Sequence, residues 1–142
     1  MIFLSSFIIS FLVYMEACIF AGIFMYLFRK KKLIGFQLGM NISQVMGGMA
    51  ALLTGVLLIQ QFPFHFTLIT IISAGTGLAV GGVFGLLFDY QTFITGLTNG
   101  MIVGLMAPMI GSVVEVPVLF LWFIHGLFFV SFLAIYFSIQ RS

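Results

Sequence analysis

Few side chains in this chain are equipped for chemistry, and the most exceptional is Glu16, which sits near the middle of a largely apolar run ending at Phe28. An ionised carboxylate inside hydrocarbon is costly, so such a group is protonated or paired, and intramembrane ionisable residues mark function by default. The partner expected is His125, near the middle of the last apolar segment. A Glu–His pair in lipid can relay protons or bind a cation. It can equally be a lock between helices, or Glu16 can rest neutral against a backbone carbonyl.

Amides form the second group. Gln37, Asn41 and Gln44, followed by Gly48, Ala51 and Gly55, fall within an arc of about 80° at 100° per residue. Amides in lipid need partners, often across helices, and Asn99, with Thr95 and Thr98, is expected at a similar depth. The stripe reads either as a polar clamp between helices or as one wall of a hydrated half-channel.

Sulfur is the third. The chain has 9 methionines, and Met46-Gly47-Gly48-Met49 echoes Met106-Ala107-Pro108-Met109. Thioether, imidazole and thiol together suit a soft metal such as Cu(I). Helical phase, however, turns Met46 and Met49 away from the amide stripe, and Met101 and Met109 away from the glycine face described below. No metal site and no cofactor are expected. Paired carboxylates on one helix, His-x-x-x-His, a nucleophile elbow and a phosphate-cradling loop are all missing from the sequence, so a non-enzymatic protein is expected.

The elements that must position these groups follow from composition. Of 142 residues, 63% are hydrophobic and 6% charged, with a mean hydropathy of +1.32. Soluble domains carry about 25% charged residues, and a small domain buries only about two-thirds of its surface. These values exclude a soluble enzyme, a nucleic-acid binder and a disordered tail; the solvent is the lipid bilayer. The single cysteine, Cys18, precludes an internal disulfide.

About 20 apolar residues cross a bilayer as a helix, and five spans are predicted at roughly 3–28, 37–59, 66–88, 93–112 and 117–138. They are separated by Arg29-Lys30-Lys31-Lys32, by Gln60-Gln61-Phe62-Pro63, by Asp89-Tyr90-Gln91-Thr92 and by Glu115-Val116-Pro117. Asp89 suits a helix cap, and Pro63 and Pro117 suit turn or first-turn positions. The positive-inside rule places Arg29, Lys30, Lys31 and Lys32 in the cytoplasm, the N-terminus outside and the C-terminus with Arg141 inside. Tyr26, Tyr90 and Tyr136 then fall together at the inner interface. Merging the last two spans would put Arg141 outside and break that agreement. The first segment lacks a basic stretch ahead of its apolar run, and Glu16 spoils a lipoprotein-like box at Met15-Glu16-Ala17-Cys18, so a retained anchor is expected.

Glycine supplies the clearest pattern. Thr76-Gly77-Leu78-x-x-Gly81-x-x-x-Gly85-Leu86 recurs 19 residues later as Thr95-Gly96-Leu97-x-x-Gly100-x-x-x-Gly104-Leu105. Each run lays small residues on one helical face, which lets backbones approach closely. With a turn centred between Tyr90 and Gln91, Gly85 is expected opposite Gly96, Gly81 opposite Gly100 and Gly77 opposite Gly104. The seam reads as dense packing, or as a hinge or pore lining that slides.

The expectation is therefore a single all-α transmembrane domain of five spans, built around an antiparallel glycine-packed hairpin of spans 3 and 4, in the cell membrane. Its expected role is that of an assembly or accessory subunit in a homo-oligomer or larger membrane complex, with no nucleic-acid partner. The alternative is a small transporter or channel subunit for a proton, cation or soft metal, using Glu16, His125 and the Gln37/Asn41/Gln44 stripe.

Overall fold

Five stretches are long and apolar enough to cross a membrane, and each becomes one helix in the computed structural model: α1 (Ile2–Lys30), α2 (Phe36–Gln61), α3 (Phe66–Leu86), α4 (Tyr90–Ser112) and α5 (Pro117–Arg141). The structure describes residues 2–30, 32, 34–115 and 117–141; Lys31, one of the four basic residues singled out above, lies outside them. Five successive spans make this a multi-pass membrane protein. α4 and α5 are separate helices.

The helices overrun the predicted spans at several ends, because a helix keeps its hydrogen bonds as it leaves the hydrocarbon for the interface. Arg29 and Lys30 close the last turn of α1, where cations complement the helix dipole. Gln60 and Gln61 are the last residues of α2. Asp89 has extended backbone and its carboxylate accepts the Thr92 N–H at 2.8 Å, so α4 starts at Tyr90 and the expected break at 90–92 is helical.

That cap resets the hairpin. A Cβ built on Gly81 would fall on the carbonyl of Gly96, and one on Gly77 on the carbonyl of Gly100. At the turn, Gly85 abuts the backbone of Thr92 and Phe93; deeper in, Gly104 abuts Ser73 and Ala74. The expected pairing of Gly85 with Gly96, Gly81 with Gly100 and Gly77 with Gly104 is thus displaced by one helical turn. The reversal falls between Phe88 and Asp89, two residues earlier than expected, because capping by Asp89 commits Tyr90 to the helix.

α2 completes this core. A Cβ on Gly47 would lie 2.7 Å from the Gly81 Cα and 3.1 Å from the Gly96 carbonyl, and one on Gly55 2.5 Å from the Ala107 Cβ. Gly111 is closed off by Ile59 and Val56 of α2. α2 is buried on several sides, with Gly39, Ser43, Met46, Gly47, Ala50 and Leu53 among its enclosed residues. Ala51 and Gly55, the small-residue end of the expected stripe, meet Gly77 and Ala107, and Gly47 adds a contact on an adjoining face.

α1 and α5 flank this trio. They run parallel at a nearly constant offset, with Phe20 against Phe128 (ring centroids 5.4 Å) and Tyr26 against Tyr136 (6.3 Å). Phe24 of α1 meets Phe84 of α3 edge-on at 5.5 Å. The contacts here are between side chains rather than backbones, and the outer faces of both helices are apolar and exposed, as at Phe7, Phe11, Trp122 and Phe129.

Candidate functional site

Glu16 and His125 meet at the centre of the α1–α5 contact. Glu16 is 6% exposed, and its Oε1 lies 2.5 Å from His125 Nε2. The other ring nitrogen, Nδ1, lies 2.7 Å from the Leu121 carbonyl oxygen, one turn back on α5. A carbonyl can only accept, so Nδ1 carries a hydrogen and donates it. Nε2 and Oε1 then hold one proton between them. Either the carboxylic acid donates to a neutral ring, or an imidazolium donates to a carboxylate. Both arrangements are neutral overall, which suits a hydrocarbon setting. The parallel register of α1 and α5 puts the two residues at one level, and the Leu121 bond fixes the tautomer.

The amide stripe does not assemble as a unit. Gln37 and Asn41 are exposed, on the outer side of α2. Asn99 reaches α2, but its Nδ2 donates to the backbone carbonyl of Gln44 at 2.8 Å rather than to the Gln44 amide. Gly48 makes this possible, since a Cβ there would stand 3.1 Å from Asn99 Nδ2. Thr95 and Thr98 turn back onto their own helix, donating to the carbonyls of Gln91 and Ile94. Of the amides expected to clamp α2 to α4, Asn99 takes part, and it does so against a backbone carbonyl.

Ser43 and Ser73 make two further interhelical bonds. Ser43 Oγ shares its hydrogen between the Met40 carbonyl of its own helix at 3.0 Å and the Thr92 carbonyl of α4 at 3.3 Å. Ser73 Oγ donates to the Gly104 carbonyl at 2.5 Å. The second has a visible cause. Pro108 lies inside α4 and has no N–H, which leaves the carbonyl four residues back, that of Gly104, without its helical donor. Ser73 of α3 supplies the missing hydrogen bond, as buried backbone in lipid requires. A proline inside a predicted span is the signal that would have located this contact.

The methionines part company: Met46 is fully enclosed within the core, while Met106 and Met109 are exposed on α4. No cluster of three or more His, Cys, Asp or Glu side chains suited to a metal occurs among the described residues. At the basic end of α1, Lys30 Nζ stands 5.1 Å from the Tyr26 ring centroid, a cation–π contact. Two surface grooves are lined by apolar side chains, one by Phe20, Phe24, Val80 and Phe84 between α1 and α3, the other by Val114, Leu119, Phe120 and Phe123. Compared with known proteins, the chain matches no family model, no curated protein and no solved structure.

Proposed function

We propose that this protein is a non-enzymatic assembly or accessory subunit of the cell membrane, working through helix–helix contacts with further copies of itself or with a larger complex. In this reading the N-terminus lies outside and the C-terminus in the cytoplasm, and the glycine faces of α3 and α4 form the seam that stiffens the scaffold. The observation that carries it is where the intramembrane polar groups are spent. Glu16 bonds His125, Asn99 bonds the Gln44 carbonyl, Ser43 that of Thr92 and Ser73 that of Gly104. Each joins two helices of this chain and leaves wide apolar faces on α1, α4 and α5 turned outward. Such a molecule is arranged to pack. The test is its size in nanodiscs cut directly from native membranes. A particle containing more than one chain is expected, and a monomer without partners would overturn the assignment.

One observation favours a second reading. The single proton shared by Glu16 and His125 suits a small transporter or channel subunit for a proton or cation. Reconstituted vesicles distinguish the two: flux that is lost on Glu16→Gln with normal insertion supports transport, and absence of flux leaves the assembly role.

A further inference from the structure

The outer helices are held by a different kind of contact from the inner three. α2, α3 and α4 meet backbone to backbone at glycines. α1 and α5 meet through rings at Phe20–Phe128 and Tyr26–Tyr136, and through the polar bond of Glu16 to His125. In lipid, ring contacts carry little net drive, because acyl chains replace them with equally apolar surface. The polar bond has no such substitute. We propose that Glu16 and His125 form a one-proton binding site whose occupancy holds α1 against α5.

The count of protons makes the site self-limiting. Nδ1 is committed to Leu121, so only one hydrogen fits between Nε2 and Oε1. If that proton passes to water, the pair carries a net negative charge, and Nε2 can offer a hydrogen to the carboxylate only by giving up the Leu121 bond. If a second proton arrives from water, the imidazolium N–H can still donate to the carbonyl oxygen of the carboxylic acid, but the pair carries a net positive charge. A net charge of either sign is costly in hydrocarbon and gives both groups a reason to turn toward water. The two helices therefore stay together over a bounded pH range and separate on both sides of it.

Nothing else titratable competes at this level. α2 and α3 contain no ionisable side chain, and α4 contains only Tyr90, its first residue. On α1 the neighbours Tyr14 and Cys18 are both exposed, and on α5 the remaining groups are Tyr136 and Arg141, toward its end. The site needs neither the assembly nor the transport reading, since separation of two helices within one chain is measured without flux or partners.

The native Cys18 on α1, together with a second cysteine introduced as Phe129→Cys on exposed α5, gives a spin-label pair. Pulsed electron paramagnetic resonance in nanodiscs, with excess unlabelled protein to suppress contacts between copies, reads the α1–α5 distance at neutral pH and through a titration into acid and into base. One narrow distance is expected at neutral pH, lost to longer and broader distances at both extremes. Glu16→Gln, whose amide can donate to Nε2 or accept from it and which has no carboxylate to form, should keep the narrow distance at neutral and alkaline pH. Glu16→Ala should lose it at every pH. A wild-type distance unaffected by pH, a Glu16→Gln protein that responds like wild type, or a Glu16→Ala protein as narrow as wild type would each overturn the proposal.

Discussion

Ser73 shows how much a single hydroxyl can carry in lipid. Its bond to the Gly104 carbonyl answers a vacancy created by Pro108, so the two residues are coupled although they sit on different helices. Ser73→Ala strands that carbonyl in the core and should cost about 1–3 kcal/mol, the penalty for a buried unsatisfied group. Pro108→Ala returns the helical N–H to Gly104, so Ser73→Ala should cost distinctly less in that background. A double-mutant cycle of unfolding in detergent measures the difference, and simple additivity would refute the coupling. At this scale Glu16 and His125 were legible in the sequence, because a carboxylate inside an apolar run demands a partner and one candidate stood near its depth. The Gln44 contact was not, since residue type advertises a side-chain amide while the bond uses the backbone.

Between elements, the decisive quantity is how closely backbones approach. At Gly81 and Gly100 a side chain would collide with the carbonyl of Gly96 or Gly77, whereas at Gly75 and Gly126 a Cβ would meet no atom within 4 Å. Gly81→Leu or Gly100→Leu should therefore cost about 1–3 kcal/mol or more, as overpacking does. Gly75→Leu and Gly126→Leu should be nearly neutral. Thermal unfolding in detergent micelles checks the contrast, and equal tolerance at all four sites would contradict the packing described. The buried positions Gly77, Gly81, Gly85, Gly96, Gly100 and Gly104 could be read from their spacing, because a run of every fourth residue must share a face. Their register could not. It depends on where the chain reverses, and Asp89 shifts that point by two residues. That α2 closes on the hairpin was legible from its stripe, whose Ala51 meets Gly77, but the contact of Gly47 with Gly81 and Gly96, one position before Gly48, was not.

For the molecule as a whole, orientation rests on charge. Arg29, Lys30 and Lys32 gather at the end of α1, and five crossings put the two termini on opposite sides. A reporter fused after Ser142 should be active only in the cytoplasm, and an external signal would invert the proposed topology. The central place of α2 has a further consequence, for biosynthesis. α2 leaves the ribosome before α3 and α4, the helices that enclose it, so its small and polar surfaces must wait in the bilayer until the hairpin arrives. α4, with a mean hydropathy of 1.5, is the least apolar of the five spans and the last of these three to be made. Its entry into the membrane therefore leans on the surface that α2 and α3 have already prepared, and the order of synthesis becomes part of how the core is completed.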